Sequence, residues 1–199
     1  MGRFRGRASS VLSVLVQLSG VPGSGKSTLA RGLSEALGLV VLDTDVVKSA
    51  LLSRDLGVEA AGPASYGVVL ALAADLLAQG HQVVIDSPCR YPALLESGQE
   101  VAEAASVPYR FVELRVDDPA ALLPRLDGRV PRPSQVASSS DPVPGTEWEH
   151  GTAEATMRAW QEQLVRPQDG YVRLDAALPP DELLHAALTG LEPNPRPGD

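Results

Sequence analysis

Short apolar runs alternate along the chain with longer amphipathic segments, and the two periodicities predict strands and helices respectively. Val11–Leu18 reads as a first strand, followed by a glycine-rich loop and a helix over Lys26–Leu37. A short second strand over Leu39–Leu42 ends at Asp43, and a helix over Asp45–Ser53 follows. Beyond a Gly/Pro break at Gly57–Pro63 come a helix over Ser65–Gln79 and a third strand over Gln82–Ile85 that ends at Asp86. The pattern continues with a helix over Ala93–Ala105 and a fourth strand over Tyr109–Val116. Pro119–Leu126 reads as a helix capped by Asp117 or Asp118. Glu147–Leu164 returns to helix, Tyr171–Leu174 gives a fifth strand, and Pro180–Leu188 closes the series. Such alternation predicts an α/β fold, a five-stranded parallel sheet between two layers of helices.

The 199 residues suit one domain, expected over 11–191, with a flexible leader over 1–10 and a disordered tail over 192–199. Between the fourth and fifth strands, GRVPRPSQVASSSDPVPG (128–145) is rich in Pro, Ser and Gly. A long segment of that composition inside a compact domain is commonly an active-site cover, so a lid is expected over about 125–146.

The first loop carries the strongest chemical signal. Gly20-Val-Pro-Gly-Ser-Gly-Lys26-Ser27 fits G-x-x-x-x-G-K-[ST] at every position, between a strand and a helix as the motif requires. Its glycines let successive amides turn towards phosphate oxygens, and the positive end of the next helix faces the same anion. Gly20, Pro22, Gly23, Ser24, Gly25, Lys26, Ser27 and Thr28 are therefore the expected nucleotide-binding residues. Lys26 is expected to reach the β- and γ-phosphates and Ser27 to ligate Mg²⁺. ATP is the expected nucleotide, with GTP left open.

In an open parallel sheet the ligand crevice lies beyond the carboxyl ends of the strands, where Asp43 and Asp45 leave the second strand. A carboxylate there can accept the proton of an attacking hydroxyl as the γ-phosphoryl departs. Capping of the short helix by Thr44 or Asp45 is the structural alternative. Asp86, ending the third apolar strand, suits an outer-sphere partner of Mg²⁺.

Together GVPGSGKST and VVLDTDVVK resemble the small P-loop kinases grouped with zeta toxins, polynucleotide 5′-hydroxyl kinases and chloramphenicol phosphotransferase. The resemblance implies a P-loop nucleoside-triphosphate hydrolase-type fold and a kinase activity. It implies Asp45 as general base, Lys48 as the basic residue near the acceptor, and Asp43 as a neighbour in the Mg²⁺ or acceptor environment. It further implies Arg90 as an acceptor contact, and Arg125 and Arg129 as lid arginines closing over the transferring phosphoryl group. Four-residue spacing puts both on one helix face if the helix runs past Leu126, and Arg132 is the substitute for Arg129. The segment Asp141–Gly151 resembles a lid variant found in bacterial ATP-binding proteins of this group.

Composition narrows the acceptor. Net charge is −8, and no Lys/Arg stripe with interleaved aromatics is present. Both argue against a nucleic-acid partner and for a small-molecule acceptor, such as an antibiotic, nucleoside or sugar-like alcohol. A polynucleotide 5′-hydroxyl kinase is the alternative within the class. A nucleotide hydrolase, or an ATP-binding regulatory module without an acceptor, is the alternative outside it. Only two of the 17 basic residues are lysines, Lys26 and Lys48. Where arginine is the default cation, a retained lysine points to a need for its compact ammonium head, and the arginine bias suggests a GC-rich bacterial genome.

Cys89 is the single cysteine, which excludes an internal disulfide and suggests packing as a small apolar group. The basic start MGRFRGR and the run VLSVLVQL imitate a signal peptide, but the run passes straight into the glycine loop, as a buried strand does. No run of about 20 apolar residues is evident, so a cytoplasmic protein without a membrane span is expected. His81, His150 and His185 share no metal-ligand spacing. Trp148 and Trp160 are expected to be core anchors.

Overall fold

The computed structural model describes residues 13–136, 138, 140 and 151–192. The expected leader, residues 11–12 of the first strand, residues 137, 139 and 141–150 of the lid region, and the tail from 193 lie outside the described residues.

Five parallel strands form one sheet in the order β2-β3-β1-β4-β5: β1 (Leu15–Gly20), β2 (Val40–Asp43), β3 (Val83–Asp86), β4 (Tyr109–Arg115) and β5 (Val172–Asp175). The helices are α1 (Lys26–Leu37), α2 (Thr44–Leu52), α3 (Val58–Ala78), α4 (Pro92–Ala104), α5 (Leu123–Asp127), α6 (Ala153–Glu162) and α7 (Pro180–Leu191), with a 3₁₀ turn over Pro119–Leu122 before α5. This is the predicted α/β class with its five strands.

β1 is buried along its whole length because helices cover both faces. Its alternation sorts the layers. Val16 and Leu18 pack with Leu29, Leu33, Leu183 and Ala187 of α1 and α7. Leu15 points the other way, among Val69, Ala73 and Leu77 of α3 and Ala102 of α4. A third cluster joins Val21, Leu122, Leu126, Met157 and Trp160, which seats α5 and α6 beside the glycine loop. Trp160 is thus the core anchor expected of it; Trp148 lies outside the described residues.

Two expectations need correction. The chain from Gly57 to Pro63 is no break: Val58–Ala78 is one continuous helix with Pro63 inside it. The proline forfeits one internal amide bond near the start of the helix. A buried stripe at four-residue spacing (Ala61, Ser65, Val69, Ala73, Leu77) holds the helix on the sheet regardless. As a result the described residues hold one helix long and apolar enough to cross a bilayer, by length and composition alone. In this fold α3 packs against α2, α4 and β3.

The second correction concerns the lid. α5 ends at Asp127 with Gly128 as its cap, so Arg125 lies on the helix and Arg129 beyond it. The two arginines do not share a continuous helix face. Gly128 and Pro131 stop the helix before four-residue spacing can align them.

Candidate active site

The parallel order places the ends of β1, β2 and β3 at one edge, where the loops after them converge. Asp43 and Asp86 are register partners on neighbouring strands, so two strand-terminal carboxylates stand side by side. The Thr44 hydroxyl donates to the Asp86 carbonyl at 3.0 Å and fastens the two strand ends together.

The glycine loop leaves β1 where side chains have no room. A Cβ on Gly20 would stand 2.9 Å from the Leu114 carbonyl oxygen and 2.6 Å from Ser24 Oγ. Gly25, at φ 96°, directly precedes α1 in the left-handed region open to glycine. Lys26 folds back inside the loop, donating to the carbonyls of Gly20 (2.7 Å) and Val21 (3.1 Å). Burial lowers its pKa, and Arg129 adds to that; the carboxylates of Asp86, Asp45 and Asp43 oppose it. Burial likewise raises the pKa of Asp86, opposed by the Lys26 ammonium and by the Ser27 hydroxyl beside it.

Ser27 and Asp86 therefore put a hydroxyl and a carboxylate together at the base of the loop, a donor set of hard oxygens that fits Mg²⁺. Arg129 donates to the Val136 carbonyl at 2.9 Å, while its Nε is buried without a partner among the described residues. Burial lowers its pKa and the Asp45 carboxylate opposes the shift. Lys26, Arg129 and Asp45 thus lie within each other's electrostatic reach and line the same crevice.

Asp43, rather than Thr44 or Asp45, is the cap of α2. Its Oδ1 accepts from the amides of Asp45 (2.8 Å) and Val46 (3.3 Å). That role frees the Asp45 side chain, in the first turn of α2, to face the crevice, with Lys48 one turn further on. Asp43 also accepts a charged hydrogen bond from Arg132, so Arg132 sits on this carboxylate.

The residues after Arg132 lie across Asp45. Gln135 Nε2 donates to Asp45 Oδ2 at 2.8 Å, and the Ser134 hydroxyl faces Asp45 Oδ1 at 3.2 Å and the Asp45 carbonyl at 3.0 Å. Ser49 in turn donates to Ser134 Oγ at 2.9 Å. Sequence reasoning missed Ser134 and Gln135. They stand 89 and 90 residues from Asp45, and nothing local marks them.

Arg90 stacks over Trp160 at 5.2 Å from the ring centroid and donates to Gln163 Oε1 at 2.6 Å. Near it is Tyr66, whose phenol is pushed up to about 12, chiefly by burial. Arg125 reaches the other end of the crevice, donating to the carbonyls of Ala176 (2.7 Å) and Ala177 (3.5 Å) in the turn between β5 and α7.

Lys26, Asp45, Asp86, Arg90, Arg125, Arg129 and Ser134 open onto one cavity of about 1410 Å³, which runs from the α7 turn past Lys26 and Asp45 to Arg90 and Tyr91. A pocket for one small ligand is typically about 300–1000 Å³. This cavity has room for a nucleotide and a second molecule.

Fold and site define a P-loop protein with a five-stranded parallel sheet between helices. A family model described as an AAA domain matches residues 15–142, and the chain belongs to that family. A gluconokinase from Sinorhizobium meliloti 1021 superposes with a TM-score of 0.58 at 23% identity, covering 90% of each chain. A sugar kinase from Janibacter sp. HTCC2649 gives 0.60 at 21%, covering 90% of this chain and 95% of the other. The Mycobacterium tuberculosis APS kinase CysC, in complex with AMPPNP and APS, gives 0.61 at 21%, with 92% and 99% covered. Similarity of this degree defines the fold. An uncharacterized protein of Mycobacterium tuberculosis (strain H37Rv) is 35% identical over 102 residues. That match takes in 44% of this chain and only 20% of the relative, so it spans about a fifth of the longer protein.

Proposed function

We propose that the protein is an ATP- and Mg²⁺-dependent phosphotransferase that moves the γ-phosphoryl group to a hydroxyl of a small molecule. The observation that carries this reading is one cavity lined by Asp45, Lys26 and Arg129, each within electrostatic reach of the others. A carboxylate sharing a cavity with two cations suits a reaction in which a hydroxyl loses its proton while charge gathers on the transferring phosphoryl group.

In this reading Gly20–Thr28 cradle the phosphates, and Ser27 with Asp86 behind it holds Mg²⁺. The metal, when bound, supplies positive charge against the β- and γ-phosphates. Lys26 leaves its loop carbonyls for phosphate oxygens, and Arg129 supplies a further donor through its unpartnered Nε. Arg125 braces the turn at the nucleoside end. Asp45 takes the acceptor proton, while Asp43 and Arg132 hold the neighbouring backbone and lid. Lys48, Arg90 and Tyr66 line the acceptor end, in a single domain working in the cytoplasm.

The test is ATP consumption over a panel of hydroxylated metabolites. Sugar-like acceptors head the panel, because two structural neighbours are described as a gluconokinase and a sugar kinase. Consumption well above the basal rate with an acceptor, together with a phosphorylated product, supports the reading. A slow basal rate that no acceptor raises favours a hydrolase or a regulatory module.

A further inference from the structure

The carboxylate placed to deprotonate an acceptor already holds a hydroxyl of this chain. Ser134 Oγ faces Asp45 Oδ1 at 3.2 Å and the Asp45 carbonyl at 3.0 Å, so its proton is directed at Asp45. One of its lone pairs accepts from Ser49 at 2.9 Å, and the other is left for bond formation. Three neighbouring hydroxyls are directed elsewhere: Thr44 donates to the Asp86 carbonyl, Ser65 to the Gly62 carbonyl and Ser49 to Ser134. Ser134 opens onto the same cavity as the glycine loop, and Arg129, on the same segment, reaches both Lys26 and Asp45 electrostatically.

We propose that Ser134 is a site of autophosphorylation, modified in cis by the chain's own nucleotide site. The inference rests on the phosphotransferase reading above. Ser134 Oγ attacks the γ-phosphorus of ATP, forming a phosphate ester. The bond from that phosphorus to the β–γ bridging oxygen breaks and ADP leaves with its electron pair. The hydroxyl proton passes to the Asp45 carboxylate. No reactant other than ATP is needed.

The product reverses the sign of the contact. A phosphoserine carries roughly −1.5 to −2 charge at neutral pH, and it would stand against the Asp45 carboxylate that the hydroxyl had bound. Repulsion then lifts residues 132–136 from Asp45 and clears the approach for an external acceptor.

The experiment incubates the full chain with radiolabelled ATP and magnesium, then maps the modified residue in the wild-type protein by tandem mass spectrometry. One phosphoryl group per chain on Ser134, acquired at a rate independent of protein concentration, is expected. Ser134→Ala should lose the label, Ser134→Thr should keep it, and Asp45→Asn should lose it while still binding a fluorescent ATP analogue. Label on another residue, or label retained by Ser134→Ala, overturns the proposal. Absence of label in a preparation that phosphorylates an acceptor from the panel overturns this inference alone. Absence of transfer to Ser134 and to every acceptor overturns the phosphotransferase reading with it.

Discussion

Arg132 and Asp43, 89 residues apart in sequence, are joined by a charged hydrogen bond that ties the segment after α5 to the first turn of α2. The same carboxylate caps α2 through its other oxygen. One aspartate thus sets both the direction in which α2 starts, and so the position of Asp45, and the seat of the residues lying over Asp45.

Asp43→Ala should cost more stability than Arg132→Ala. The first removes a helix cap worth about 1 kcal/mol together with the ion pair. The second removes only a partly exposed pair, for which less than about 1 kcal/mol is expected. Urea unfolding of both variants and of the double variant measures the two losses and their coupling. Equal losses would mean that the cap contributes little.

Asp86 gives a pH signature. Its folded-state pKa lies above the ordinary carboxylate value, with burial outweighing Lys26 and Ser27. A group raised on folding contributes stability that is full below its unfolded pKa and is lost as pH rises through the folded one. Asp86→Asn imitates the protonated form, so the variant should melt above wild type at neutral pH. The gap should narrow as pH falls through the raised value, as thermal melts at several pH values would show. Nucleotide–Mg²⁺ affinity should move oppositely, weaker in the variant and weaker in wild type as Asp86 takes up its proton.

The two lid arginines should separate kinetically. Arg129 shares electrostatic contact with Lys26 and Asp45, whereas Arg125 holds the carbonyls of Ala176 and Ala177. Arg129→Ala is expected to lower kcat by about 10²–10³-fold, the usual cost of a lost charge-stabilising donor. Arg125→Ala should mainly raise the KM for nucleotide, and steady-state kinetics distinguish the two. A matching fall in kcat for both would restore the view that they act as a pair.

Cys89 tests the packing of the layer behind the crevice. It is fully buried, accepts from Gln17 Nε2 at 3.5 Å, and has its thiol pushed up to about 12 by burial. It should be inert to a thiol reagent at pH 8 in the native state and react at the rate of unfolding. Fast native labelling would contradict this packing.

The strands, the glycine loop and the carboxylates at strand ends were legible because each is local. An apolar run ending in Asp places that Asp at the sheet edge, as at Asp43 and Asp86. What the sequence concealed depends on distant partners. Asp43 became the cap because the chain turns one residue earlier than the Thr44 or Asp45 alternative supposed. Pro63 looked like a break because local propensity cannot see the stripe of buried residues that holds α3 on the sheet. Arg125 and Arg129 looked like one helical face until Gly128 ended α5 between them. Glu113 is the extreme case: a fully buried carboxylate in mid-strand that pairs locally with Arg115 at 3.8 Å, but also with Arg166, 53 residues on, at 3.3 Å.

The most direct test compares γ-phosphoryl transfer by wild type and Asp45→Asn, with affinity for a fluorescent ATP analogue measured on the same preparations. Asparagine keeps the shape and one of the two oxygens that accept from Ser134 and Gln135, but it cannot take up the acceptor proton. Transfer should fall by about 10²–10⁴-fold with nucleotide affinity unchanged. Transfer at the wild-type rate by Asp45→Asn would contradict the assignment of Asp45 as the base.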